Sequence, residues 1–337
     1  MYPENPAMAG AGRIHVPRSL KIIACALVAF VVMPIAKAAD VEEWLMRINE
    51  AAASRSFVGN FVYVHDNQIE AMHVVRRIRN GMLQERLYAL NGDAREVVRD
   101  EDRVWCFIPD RNLGVHDYRQ SSESGFPRIM SEDLETLSRN YRFEMGGTAR
   151  IAGRMAQQIR VMPADRFRYG YDLWADSETG LLLRSDLVND SGQSVEQYMF
   201  VNIEIDGEIS DHELESVTSR ENLVWYGMDL PNMSAEVESP VWRVQSLPAG
   251  YRLSKHIRRM NPMKLEEEEH MVFTDGLSSV SIFIKAPGEK QSGMAGLSRM
   301  GAVHAYRETV ADHWITVMGE VPARTVEHLA KAIVHQP

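Results

Sequence analysis

The chain has 337 residues, 45% of them hydrophobic, with 37 Lys and Arg against 47 Asp and Glu for a formal net charge of −10. That length suits one large or two ordinary globular domains, and no apolar run is long enough for a polytopic membrane protein. The acidic balance argues against nucleic acid as a general partner, because phosphate binding needs concentrated Lys and Arg.

At the N-terminus, Arg18 and Lys21 precede the apolar run IIACALVAFVVM, and Ala36-Lys37-Ala38 puts small residues at the two positions a signal peptidase reads. Residues 1–38 are therefore expected to be a secretory signal cleaved after Ala38, with Met8 an alternative start to Met1. An uncleaved anchor needs about 20 clean apolar residues, and Pro34 and Lys37 interrupt the run sooner. Cys25 sits inside the apolar core, not just after it where a lipoprotein cysteine stands. Cleavage removes four basic side chains and one acidic, leaving a net charge of about −13 and one cysteine, Cys106. An intrachain disulfide is then impossible in a compartment that would permit one. Cys106, in the strand-like run RVWCFIP, reads as a small buried hydrophobe and not a nucleophile.

Asp40, followed three residues later by Glu43, has the form of a capping box, and Leu45, Ile48 and Ala52 recur at helical spacing. Two-residue alternation then takes over in FVGNFVYVHDN, AMHVVRRIRNG, QERLYALNGDAREVVRD and RVWCFIPDRN. Asn80-Gly81 and Asn91-Gly92 supply the positive-φ residues of tight hairpins, so this is a long antiparallel meander. MSEDLETLSRNY predicts a helical insertion with Ser131 as N-cap and Leu134, Leu137 and Tyr141 on one face. Strands resume with GTARIAGRMAQQIRVMP.

Asp172, Asp176, Glu178, Asp186 and Asp190 fall close together and raise the question of an acid/base or metal cluster. Alternation in VEQYMFVNIEID turns Val195, Met199, Val201, Ile203 and Ile205 one way. It turns Glu196, Asn202, Glu204 and Asp206 the other, with Tyr198 and Phe200. Asp176 to Gly180 and Asn189 to Gly192 have turn chemistry. The carboxylates are expected on turns and solvated faces, without converging as paired catalytic acids must.

Residues 207–240 are acidic, weakly periodic and end in Pro, as an interdomain connection would. Beyond them Asp275-Gly276 marks a turn between apolar runs, and Val280, Ile282 and Ile284 alternate with Ser281, Phe283 and Lys285. Glu266 to Glu269 are expected on a solvated strand edge, since they lack the alternating ligands and Gly of a calcium loop. Val326, Leu329, Ala330 and Ile333 form a helical stripe behind Pro322. The result is two α+β domains, the first about twice the second.

Catalytic motifs are missing. The histidines offer no H-E-x-x-H and no pair four apart on a helix, and His304 and His313 lie in separate strand-like runs. GLSRMG has the outline of a nucleophile elbow but the wrong glycine spacing and context. No P-loop or G-x-G-x-x-G is present, so no catalytic residue, metal ligand or cofactor is assigned. A binding protein is the better reading. A curved sheet with a helix across it can hold an apolar cavity suited to acyl chains. Phe61, Tyr63, Tyr88, Trp105 and Phe107 are candidates to line it, with Arg76, Arg77 and Arg79 as a basic rim, although core packing and a solvated face explain the same residues.

Six segments in order, LNGDAREVVRD, VWCFIPD, the run from GTARIAGRMAQQIRVMP through VEQYMFVNIEI, SLPAGYRLS, VFTDGLSSVSIFI and ITVMGEVPARTVEHLAKAI, resemble the MucB/RseB family of periplasmic sigma-E regulators. The resemblance covers nearly all of the chain after residue 38. It implies a large N-terminal α+β domain, residues 39–217, with a lipoprotein-carrier-like (LolA/LppX-like) unclosed antiparallel β-barrel and covering helices. A linker, 218–238, and a smaller C-terminal α+β domain, 239–335, follow. It also implies binding to the periplasmic segment of a transmembrane anti-sigma factor of MucA/RseA type, protection of that segment from site-1 proteolysis, and release by lipopolysaccharide-type lipid. The N-terminal cavity is then the lipid site and the C-terminal domain the main anti-sigma contact. For that contact Phe273, Phe283, Tyr306 and Trp314 are chosen by aromatic character and placement. No cofactor is implied, a homodimer or higher oligomer is compatible, and a LolA-type lipid or lipoprotein carrier is the alternative.

Overall fold

The computed structural model describes residues 36–100, 103–118, 134–221, 223–227, 234–260, 267–286 and 295–336. The expected signal segment thus lies almost entirely outside the described residues, as do Ser131 and Glu266. In chain order the first elements are α1 (Ala36–Ser54), β1 (Phe57–His65), β2 (Gln68–Arg79), β3 (Met82–Ala89), β4 (Glu96–Asp100), β5 (Arg103–Ile108), β6 (Leu113–Tyr118) and α2 (Leu134–Ser138). Then come β7 (Tyr141–Ile151), β8 (Arg154–Pro163), β9 (Gly170–Asp176), β10 (Leu182–Val188), β11 (Ser194–Ile205), α3 (Asp211–Leu214) and β12 (Val224–Gly227). The remainder is β13 (Ser234–Glu236), β14 (Trp242–Val244), β15 (Arg252–Met260), β16 (Glu267–Thr274), β17 (Ser279–Lys285), β18 (Gly296–Met300), β19 (Val303–Val310), β20 (His313–Glu320), α4 (Ala323–Lys331) and β21 (Ile333–His335).

The first sheet has 12 strands in the order β12-β6-β5-β4-β3-β2-β1-β11-β10-β9-β8-β7, so it does not close on itself. Its pairings are antiparallel except β12 with β6. Asn80 and Gly81, at φ 54° and 77°, make the tight turn between β2 and β3 that their side chains favour. Helix α1 lies across one face: Val41, Leu45 and Ile48 pack with Leu137, Tyr141, Ile159 and Leu173, and Ala51 with Phe57, Phe61 and Phe200. Burying a Leu or Phe fully is worth about 1.5–3 kcal/mol, so this stripe fixes the helix to the sheet. The second sheet runs β13-β15-β16-β17-β20-β19-β18, and α4 packs on it through Val326, Leu329 and Ala330. The open, helix-covered first sheet and smaller second one match the expected fold. Residues 218–238, expected as a linker, carry β12 of the first sheet and β13 of the second.

Several local expectations are corrected. Helix α1 begins at Ala36, so Asp40 lies within it and is not its cap; Ala36-Lys37-Ala38-Ala39 are good helix formers that continue the helix backward. Tyr141 opens β7 instead of sharing a helix with Leu134 and Leu137, though all three meet in one cluster. Ile333 likewise belongs to β21. In β11 a bulge skips Val201 in the pairing with β1, which leaves Val201 54% exposed and turns Phe200 and Tyr198 inward.

Two of the five acids are not solvated. Asp176 is buried, accepts two bonds from Arg154 at 2.8 and 3.1 Å, and caps Thr179. Asp186 is buried beside Arg184 and stands directly opposite Asp172 across β9 and β10, so these two carboxylates do converge. Burial first, then Asp186, pushes the Asp172 carboxyl up. Glu268 and Glu269 are also buried, because β16 is an interior strand and not an edge. Glu268 meets Arg259 and Lys285, and Glu269 meets His256.

Candidate interaction surfaces

Register assigns each candidate lipid residue to a face, because directly paired residues of neighbouring strands share one. Phe61 pairs with Met72 and Tyr63 with Glu70 on the face under α1, and Arg76, opposite Phe57, lies there too. Arg76 donates to the Ala52 carbonyl of α1 and stands 3.7 Å from the buried Glu85 carboxylate. Tyr88 pairs with His73, Arg77 with Gln84, Trp105 with Val98 and Phe107 with Glu96, all on the reverse face, where alternation also places Arg79. The eight candidates therefore do not line one cavity, and beneath α1 the side chains of Val41, Leu45, Ile48 and Ala51 pack directly on those of the sheet.

Over the part of the reverse face formed by β2 to β6 lie residues 207–221 and the Trp225 ring. Ile209 and Leu214 pack on Val75, and the Arg86–Glu96 ion pair at 2.6 Å is capped by the Ser216 and Thr218 hydroxyls. Burial pulls the Glu96 carboxyl upward, but its bonds from Thr218, Arg86 and Ser216 outweigh that and hold it below the usual carboxylate range. Trp225 lies on Phe107 at 5.6 Å and over Gly114, where a Cβ would stand 2.7 Å from the indole. Arg77 and Trp105 do meet, lining an open cavity of about 370 Å³ with Arg220, Ser216 and Thr218. Cys106, on β5, is half-buried and burial pushes its thiol up, away from nucleophilic character.

The candidate anti-sigma residues divide in the same way. Phe273 is buried and Tyr306 half-buried in the core beneath α4. Phe283 and Trp314 lie on the opposite face. The Phe283 ring stacks on His270, with centroids 4.4 Å apart and planes 9° apart, and Arg259 lies over it at 5.4 Å. Arg307 lies over Trp314 at 5.6 Å. Burial, followed by Arg259, pushes His270 down to about 4.

The two sheets belong to one compact unit and meet through two sets of polar contacts that the sequence did not mark. In the first, the fully buried Arg168 guanidinium reaches Asp275 at 2.7 Å, Asp165 at 3.0 Å and the Ala249 carbonyl at 2.5 Å. Tyr141 donates to the same Asp275 carboxylate at 2.8 Å, and Thr325 donates to the Phe167 carbonyl at 2.7 Å. In the second, Asp66 accepts from Arg299 and from the Gly301 amide, both at 2.6 Å. Glu196 accepts from the Ala302 amide and the Tyr63 hydroxyl, also at 2.6 Å. Gly301 has φ +59°, the conformation that turns these consecutive amides toward the two carboxylates. An open cavity of about 420 Å³ beside this contact is lined by Tyr169, Asp190, Arg299, His304 and Arg324.

Among the described residues no group of three or more His, Cys, Asp or Glu is placed to hold a metal ion, and no helix is long and apolar enough to cross a membrane. Family comparison matches residues 40–218 to the MucB/RseB N-terminal domain and 236–334 to the MucB/RseB C-terminal domain. The sigma factor AlgU regulatory protein MucB of Pseudomonas aeruginosa is 29% identical over 305 residues, 89% of this chain and 93% of its own length. The sigma-E factor regulatory protein RseB of Escherichia coli K12 is 27% identical over 301 residues, 86% of this chain and 89% of its own. The structure of the P. aeruginosa MucA/MucB complex aligns at 30% identity and TM-score 0.68 over 88% of this chain and 99% of that one. A second structure, MucB in complex with MucA(peri), aligns at 28% and 0.67 over 88% and 100%.

Proposed function

The chain belongs to the MucB/RseB family, and from that membership we propose that it is a periplasmic negative regulator of the envelope stress response, a binding protein and not an enzyme. Its partner is the periplasmic segment of a transmembrane anti-sigma factor of MucA/RseA type, which it shields from site-1 proteolysis until lipopolysaccharide-type lipid releases it. The observation that carries this reading is the likeness to MucB in its complex with MucA, sustained over 88% of the chain.

Release follows from linkage. A lipid that prefers one arrangement of the domains lowers affinity for the segment, and the segment lowers lipid affinity by the same factor. Ala51 of α1 packs directly on Phe57, Phe61 and Phe200, so lipid entering between helix and sheet there has to lift the helix and break the Arg76 bond to Ala52. Tyr141 then supplies a physical connection: its ring packs in the same cluster as Val41, Leu45 and Ile48 of α1, and its hydroxyl holds Asp275 of the other sheet. Disturbing α1 therefore disturbs the domain junction.

Calorimetric titration of the purified protein with the anti-sigma periplasmic segment, with and without lipopolysaccharide, tests the reading. Saturable binding that lipid weakens is expected. No binding in either condition, with lipid retained, would replace the regulator by a lipid or lipoprotein carrier.

A further inference from the structure

We propose that His313 and His335, two imidazoles set against the Trp242 indole, bind a transition-metal ion of the Cu(II) or Zn(II) type and so clip the ribbon of β14 and β21 to the second sheet. Trp242 on β14 stands directly opposite His335 on β21, so the two side chains share a face of that ribbon. His313 comes from the neighbouring sheet, at the start of β20, just after the turn at Ala311 and Asp312. The three rings close a triangle, with centroids 4.5 Å apart from Trp242 to His335, 5.1 Å from Trp242 to His313 and 5.9 Å from His313 to His335. The indole is buried in the core beneath α4, whereas both imidazoles are half-buried, so solvent and a dissolved ion reach them.

The hydrogen bonding leaves lone pairs for a metal. His313 Nδ1 lies 2.8 Å from the Ala311 carbonyl, which can only accept, so Nδ1 carries the proton and Nε2 keeps its lone pair. A bond from the other ring nitrogen to a backbone carbonyl is the support that orients metal-ligating histidines. Among the described residues neither nitrogen of His335 has a hydrogen-bond partner, so that ring has a lone pair to give as well. Two imidazoles bound to one ion through bonds of about 2.0 Å hold their centres about 4.5 to 6.3 Å apart, according to the angle at the ion, and the observed separation lies in that range. An ion between them is within the ~6 Å reach of a cation–π contact with the Trp242 ring. Imidazole suits copper and zinc, whereas magnesium and calcium take oxygen ligands, and Cu(II) binds such nitrogens most tightly. The two rings supply two positions and solvent fills the rest. The ion then joins β21 of the short ribbon to β20 of the larger sheet.

The test is titration of the purified, untagged protein with Cu(II) and, separately, with Zn(II), followed by calorimetry and by tryptophan fluorescence. One Cu(II) per chain is expected to bind saturably and more tightly than Zn(II), to quench indole fluorescence and to raise the melting temperature as mass action requires. His335→Gln and His313→Gln, each with its metal-free thermal unfolding unchanged, are expected to bind Cu(II) at least about tenfold more weakly and to lose the quenching, because even an outer partner of a metal ligand is worth about 10- to 100-fold. The two variants are read separately, so a shifted unfolding in one leaves the other to decide. His212→Gln, which removes an exposed imidazole of α3, is expected to bind as the wild type does. No saturable binding by the wild type, binding that His335→Gln and His313→Gln leave unchanged, or equal weakening by His212→Gln would overturn the site.

Discussion

The two contacts that join the sheets are built from the same kinds of group but differ in solvent. Around Asp275 the carboxylate and the Arg168 guanidinium are both fully buried, and a phenol completes the set. Around Asp66 the partners are Arg299, with its side chain 53% exposed, and the Gly301 amide, while the next amide, Ala302, donates to Glu196. A buried ion pair is costly to break from one side, whereas an exposed one is weak and screened by salt. The first contact thus sets where the domains meet, and the second sets how firmly the far side closes. Opening is expected to begin at Asp66, with Asp275 as the fulcrum.

Removing one side of the buried contact has the largest expected effect. Asp275→Ala takes from the buried Arg168 one of its two carboxylate partners and from the Tyr141 hydroxyl its acceptor, and urea unfolding should show a loss of about 3–5 kcal/mol. Tyr141→Phe deletes one buried hydrogen bond and should cost about 1–2 kcal/mol at neutral pH. It also has a pH signature. Burial first, and Asp275 second, push the Tyr141 phenol far above its usual range. The folded chain then keeps a proton that the unfolded chain releases near pH 10, so this stabilisation is complete below about pH 10 and declines above it. Denaturation at successive alkaline pH values should show a shallower decline for Tyr141→Phe.

On the exposed side the effects shrink. Gly301→Ala forces an L side chain into φ +59° with its Cβ 2.5 Å from the Glu196 carboxylate. Thermal unfolding should register about 1–2 kcal/mol. Asp66→Ala should cost at most about 1 kcal/mol at low salt and nothing measurable in molar salt. If Asp66→Ala proved as damaging as Asp275→Ala, the contrast between the two contacts would be wrong.

Much of the fold was legible in local pattern. Two-residue alternation marked the strands, Asn80-Gly81 marked a hairpin, and the Val326, Leu329 and Ala330 stripe marked the closing helix. Faces were not legible where a sheet neighbour decides them. Nothing in VEQYMFVNIEID shows that Val201 is skipped, because the bulge exists only against β1. Phe61 and Trp105 look alike in sequence, yet register sends them to opposite faces. The junction was hidden for a related reason. The Asp275-Gly276 pair marks a turn, but the partner of Asp275, Arg168, lies 107 positions away and reads locally as one more loop charge.

The place of β1 in the first sheet has a consequence for how the chain is made. One edge of β1 pairs at once with its hairpin partner β2, while the other waits for β11, with Asn60 and Asn202 separated by 142 positions. During vectorial synthesis or export, α1 and the first six strands emerge with that central edge unpaired. Such an edge can recruit the wrong strand, from this chain or another. Folding of the first domain is therefore expected to be slow, set by the arrival of β11 and dependent on chaperones that cover the waiting edge.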